Sequence, residues 1–158
     1  MLLSSLIPVL GATISVTSTA DSGPGTLRAA LTNVSDGDII NAKGVSGTIQ
    51  LTSGELEVTN GVTIIGPGPS SLSVDGNGTG RVMNMNIPSA QGVTIIGLTI
   101  TNGVATNDNN DSGGGIYNNT ASTLTLSNCA FAGNNADFGG AVFVDASSAS
   151  LVLTVINC

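Results

Sequence analysis

The sequence predicts an all-β domain: a right-handed parallel β-helix with three strands per coil, a repeat of about 26–34 residues and a short capping helix near the N-terminus. Three observations carry that prediction. Short stretches of alternating apolar and polar residues recur at a near-constant spacing, three such series interleave along the chain, and one segment alone, 26–34, changes from the period of a strand to that of a helix. Strands this short cannot hide their apolar face alone, so each must stack on its copy in the next repeat.

Residues 1–12, MLLSSLIPVLGA, are a brief apolar run ending in small residues. They read either as a clipped export signal, without the usual Lys or Arg ahead of the run, or as a first segment covering the end of the domain. The run is too short to span a bilayer as a helix, and no transmembrane segment is expected. Residues 13–45 read as an N-terminal cap of strand plus helix. In GPGTLRAALTNV (23–34), Leu27, Ala30, Leu31 and Val34 fall at helical spacing behind the start signals Pro24 and Thr26. Such a helix shields the first coil's apolar interior and its unpaired edges. Arg28 is expected on the outer face of this helix or paired with an acid nearby.

Residues 46–158 carry the coils. VTIIGPG (62–68), VTIIGLT (93–99) and LTLSNCA (124–130) follow one another at even intervals, and LTVINC (153–158) repeats LTLSNC (124–129) after a slightly shorter one. A second series runs Leu72, Leu98, Cys129, Cys158, and a third runs Val82, Ile116, Val142. Three interleaved series mean three strands per coil, with successive coils about 4.8 Å apart. The core stack is then Val62, Ile64, Val93, Ile95, Leu98, Ile100, Leu124, Leu126 and Cys129, with Phe131 beside them. Apolar spacing lengthens from two to three between Ile95 and Leu98, and again between Leu126 and Cys129, which marks a corner. Asn84, Asn118, Asn134 and Asn135 are candidates for side-chain ladders or left-handed turns, and the pairs Gly113-Gly114 and Gly139-Gly140 for positive φ. At Cys158 the chain stops where the earlier copy continues into AFAGN, so the array is expected to be truncated there, with an edge open to self-association.

Side-chain chemistry is sparse. Three basic and ten acidic residues give a net charge of −7, which excludes the basic groove that nucleic acid needs. Lyase chemistry on an acidic polysaccharide needs a carboxylate-bound Ca²⁺ and a basic residue. The nearest match is NDNNDSGGG (107–115), where Asp108 and Asp111 form a candidate weak Ca²⁺ site, with none of Arg28, Lys43 or Arg81 close in sequence. Glu55 and Glu57 share one face of a strand and could imitate a glycosidase pair, but solvated acids are the simpler reading. No catalytic residue, metal or cofactor is expected. Thr63, Thr94 and Thr125 form an outward file, the pattern of ice-binding solenoids, although the next file reads Ile65, Ile96, Ser127. Cys129 and Cys158 stack in one column within reach of a disulfide; as small buried hydrophobes they are expected to be free thiols.

TSTADSGPGTLRAALTNVSDGDII (17–40) and GTIQLTSGELEVTNGVTIIGPG (47–68) precede two further signatures. FAGN stands at 131–134 (Phe131, Asn134) and GGAV at 139–142 (Gly139, Gly140, Ala141, Val142), with a variant GGGI at 113–116 (Gly113, Gly114, Gly115, Ile116). From about residue 13 the chain resembles bacterial secreted β-helix proteins with polymorphic outer-membrane-protein-type repeats, whose marks are GGA[ILV] and FxxN. One coil departs from that pattern, with Ile100 where the family has Phe. The resemblance implies a secreted or outer-surface location and a structural or adhesive role like that of adhesins and autotransporter passengers, with a host or cell-surface receptor or a glycan as partner. Polysaccharide-binding or polysaccharide-degrading β-helices are the alternative, and an ice-binding solenoid the second.

Overall fold

A computed structural model describes residues 11–87, 91–106, 111–119, 123–145 and 151–158. The chain winds as a parallel β-solenoid of about four turns with one short helix. The cap holds β1 (Thr13–Ser15) and α1 (Leu27–Asn33); residues 1–10 of the apolar N-terminal run lie outside the described residues. The first coil holds β2 (Asp38–Asn41), β3 (Gly47–Gln50) and β4 (Leu56–Val58), the second β5 (Val62–Ile65), β6 (Leu72–Asp75) and β7 (Met83–Met85). The third holds β8 (Gly92–Ile96), β9 (Thr99–Thr101), β10 (Val104–Ala105) and β11 (Ile116–Asn118). The fourth holds β12 (Thr123–Ser127), β13 (Ala130–Ala132), β14 (Asn135–Ala136) and β15 (Val142–Val144), and β16 (Val152–Ile156) follows.

Stacking the coils makes three faces. The first is β1-β2-β5-β8-β12-β16, the second β3-β6-β9-β13 and the third β4-β7-β11-β15, with β10-β14 as a short extra ladder at the corner. All named pairings are parallel and like sits over like: Ile64 on Ile95 on Leu126, and Val74 on Ile100 on Phe131. Val62, Ile64, Val93, Ile95, Leu98, Ile100, Leu124, Leu126 and Cys129 are all buried, as their alternation requires. The third series needs a correction. Met83, not Val82, lies opposite Ile116. Met83, Met85 and Ile87 point inward between Asn84 and Asn86, while Val82 is buried one step earlier, at the corner where alternation breaks.

The corners use left-handed backbone. Gly97, Asn128 and Asn157 turn at φ of 66°, 50° and 52° at equivalent places in three successive repeats, directly after the first-face strands β8, β12 and β16. A short polar side chain that bonds locally makes Asn the residue that best tolerates this conformation after Gly. The other left-handed asparagines among the described residues are Asn77 and Asn102, so Asn84, Asn118 and Asn135 do not serve that purpose: each lies in a strand, where φ is negative.

The cap is held by charge as well as by burial. Thr26 N-caps α1, its hydroxyl oxygen accepting from the Ala29 N–H at 3.2 Å, and Leu27, Ala30 and Leu31 face the core. Arg28 pairs with Asp21 at 2.6 Å and donates to the carbonyls of Gly54 and Glu55, both at 2.7 Å. Asp21 also accepts from the Thr52 N–H and hydroxyl, so a single ion pair ties the helix to the corner ahead of β4. Burial works against the Asp21 charge, but the bonds from Ser53, Arg28 and Thr52 outweigh it and hold the carboxyl well below the usual range. No helix among the described residues is long and apolar enough to cross a membrane.

Candidate functional site

Two glutamates, an arginine and two stacked rings gather on the third face. Outward positions alternate with the buried Leu56, Val58, Met83, Met85 and Ile116, and the parallel register stacks Glu57, Asn84, Tyr117 and Phe143 in one file. Glu55 stands at the same side just ahead of β4. Arg81, just ahead of β7, reaches both neighbouring coils. Its Nη1 donates to Glu55 Oε2 at 2.9 Å, while Nε and Nη2 donate to the carbonyls of Ser112 and Gly113 between 2.9 and 3.1 Å. Its guanidinium carbon lies 4.9 Å from the centre of the Tyr117 ring, which stacks on Phe143 at 5.8 Å and 5°. Arg81 therefore rivets three coils through its side chain, 10% of which is exposed.

The two glutamates converge on one amide. Asn84 Nδ2 donates to Glu55 Oε1 at 3.1 Å and Glu57 Oε1 at 3.2 Å. Burial, then the charge and hydrogen bond of Glu55, push the Glu57 carboxyl up, against Asn84 and Arg81. A glycosidase pair attacks a bond from opposite sides across a gap of about 5–9.5 Å. Here both carboxylates stand on the same side of the third face, Glu57 within β4 and Glu55 just ahead of it, and share one amide donor.

The acidic loop is less isolated than its sequence implies. Asp108 lies outside the described residues. Asp111 is described, its carbonyl accepting from the Phe138 N–H at 3.0 Å, and no cluster of three metal-ligating side chains occurs among the described residues. A cation does stand beside this loop: Arg81, far away along the chain, is one coil away in space and bonds to Ser112. Distance along the chain was the wrong measure, because in a solenoid one repeat of separation means contact.

The repeat signatures act as fasteners. Gly113 and Gly139 turn at φ of 66° and 61°, equivalent places ahead of Ile116 and Val142, which pair. The glycines that follow are needed for close approach instead. A Cβ on Gly114 or Gly140 would press on the carbonyl of Asn135 or Asn134, and one on Gly115 on that of Ala141. Asn134 reaches back one coil, accepting from the Gly103 N–H and donating to the Ile100 carbonyl, both at 2.9 Å. Phe131 packs against the core opposite Ile100.

On the first face Thr63, Thr94 and Thr125 align as expected, and Thr154 extends the file to four. The one acid in its strands, Asp38, is turned in to the N–H groups of Ala12 and Ser35. Both cysteines are free, Cys129 buried and Cys158 exposed, with the Cys129 N–H donating to Cys158 Sγ at 3.3 Å. Sequence reasoning missed Arg81, Tyr117, Phe143 and Thr154 as members of shared files. The available signal was an offset of one repeat, the same from Glu55 to Arg81 as from Tyr117 to Phe143.

No protein-family model, curated protein or solved structure matches the chain.

Proposed function

We propose that the chain is a module of a secreted or bacterial cell-surface β-solenoid with a structural and adhesive role, its third face turned to a cell-surface receptor or glycan. The observation that carries this reading is how the reactive side chains are employed. Arg28 ties the cap helix to the first coil and Arg81 crosses between coils, each bonding carbonyls and an acid, so Lys43 is the only cation among the described residues whose side chain makes no such bond. A molecule that commits its charges to inter-coil fastening is built to be long and stiff, and functional variety is left to what its faces display. The likeness of FAGN and GGAV to polymorphic outer-membrane-protein-type repeats supports the surface location.

Binding of the full chain to a glycan array and to intact cells tests the reading. Retention on at least one glycan or cell type, reduced about tenfold or more by Tyr117→Ala with Phe143→Ala, is the expected result. Release of unsaturated or reducing sugar from polygalacturonate, abolished by Asp111→Ala, would replace it with the enzymatic alternative.

A further inference from the structure

Four Asn-x-Ser/Thr triplets occur in the sequence, at Asn33, Asn77, Asn110 and Asn118. In a chain that passes through a secretory route such a triplet is an acceptor for N-linked sugar, provided it lies on an exposed loop. The fold separates the four. Asn33 is exposed but belongs to α1, its Nδ2 donating to the Ala29 carbonyl at 2.6 Å; the buried Val34 follows, then a Ser35 whose N–H is held by Asp38. Asn118 has no exposed surface. Asn110 lies outside the described residues.

Asn77 stands in a different setting. Asn77, Gly78 and Thr79 are all exposed, in the turn between β6 and β7. Asn77 Oδ1 accepts from Gln50 Nε2 at 2.9 Å, while its Nδ2, the atom that would carry the sugar, has no partner among the described residues. Asp75 Oδ1 accepts from the Asn77 N–H at 2.8 Å, and Asn77 itself turns at a left-handed φ of 58°. Gly78 and Gly80 have open space where a side chain would stand, so the turn has room to adapt to an enzyme. Beside it a shallow depression of about 350 Å³, lined by Asp75, Asn77, Gly78, Asn102, Val104 and Gly133, offers the first sugar a surface to lie on.

We propose that Asn77 is an N-glycosylation site, chosen by the fold over the sites at Asn33 and Asn118. This rests on the secreted reading, since the donor is met on the export route. The donor is an oligosaccharide on a lipid diphosphate. Asn77 Nδ2 forms a bond to the anomeric carbon, the bond from that carbon to the diphosphate oxygen breaks, the lipid diphosphate leaves with the electron pair, and a proton from Nδ2 passes to a base of the transferase.

The test uses the purified, folded full chain, incubated with membranes that hold an oligosaccharyltransferase and its lipid-diphosphate donor; a peptide spanning residues 74–80 checks that the transferase is active. Peptide mass mapping is expected to find the sugar on Asn77, absent from Asn33 and Asn118, and lost to below a tenth in both Asn77→Gln and Thr79→Ala, with Asn33→Gln unchanged. An unmodified Asn77 alongside a modified peptide, or sugar on Asn33 or Asn118 of the folded chain, overturns the proposal. Export does not enter this assay. Protease accessibility of the chain on intact producing cells tests it separately, so the two ideas fail independently.

Discussion

β12 and β16 carry nearly the same residues, LTLSNC and LTVINC, in the same file of the same face. Leu124 and Leu126 are 0% and 1% exposed; Leu153 and Val155 are 42% and 55% exposed. Nothing in the local sequence separates them. β12 has β8 on one side and β16 on the other, whereas β16 pairs with β12 alone. In a solenoid, then, burial is a property of the stack rather than of the residue, and each coil is stabilised largely by its neighbours.

The largest effect that sharpens this contrast comes from shaving equivalent side chains. Leu126→Ala is expected to cost about 3 kcal/mol in urea unfolding, because a buried leucine loses its transfer energy and leaves a cavity. Val155→Ala, half-exposed at the start, should cost under about 1 kcal/mol. Equal losses at the two positions would break the comparison.

A second, smaller effect concerns the fastened end. The folded Asp21 carboxyl is held low, so the stability it adds is present above its unfolded pKa, near 3.9, and is lost as pH falls through the folded value. Asp21→Asn should therefore cost about 2 kcal/mol at pH 7, the worth of its charged hydrogen bonds, and progressively less below about pH 4. Glu57 has the opposite sign. Its raised pKa adds stability below the unfolded value, near 4.3, that disappears as pH rises through the folded value. Glu57→Gln should flatten that decline, which denaturation curves at pH 3, 5 and 7 will register; a decline of unchanged slope would remove the glutamate pair as its cause.

The smallest effect touches reactivity alone. Burial pushes the Cys129 thiol up, against a bond from the Leu98 backbone, while Cys158 lies exposed one coil on. Iodoacetamide at pH 8 should alkylate Cys158 at least tenfold faster than Cys129, with the difference erased in denaturant. Equal rates in the native chain would mean that β16 does not stay on β12.

Much of the fold was legible because the solenoid repeats one physical solution. Alternation in VTII, VTII and LTLS places Ile64, Ile95 and Leu126 inside, and their even spacing along the chain puts them on top of one another. The third file was read one residue early because Val82 and Met83 are both buried at a corner, where the period of two is interrupted. The site was read less well. The local pattern puts Glu55 and Glu57 on one face, but Arg81 lies far from the 107–115 loop along the chain, and nothing in either segment announces the stacking of Tyr117 on Phe143. Outward side chains carry no hydrophobic period, so where no like residue recurs, as it does at Thr63, Thr94 and Thr125, the register of the coils is what reveals which of them meet.

The sequence by itself therefore determined the period, the inward stripe and the capping helix, since burying apolar surface on short strands admits few other arrangements. Which polar groups meet was decided only by the tertiary structure. The convergence of Arg81 on Glu55 and Ser112, the embrace of Asn84 by two acids and the exposure of Asn77 against the burial of Asn118 all depend on residues about one repeat apart being brought within a few ångströms. That closeness is produced by the backbone ladder between coils, whose hydrogen bonds are the same whatever side chains they carry.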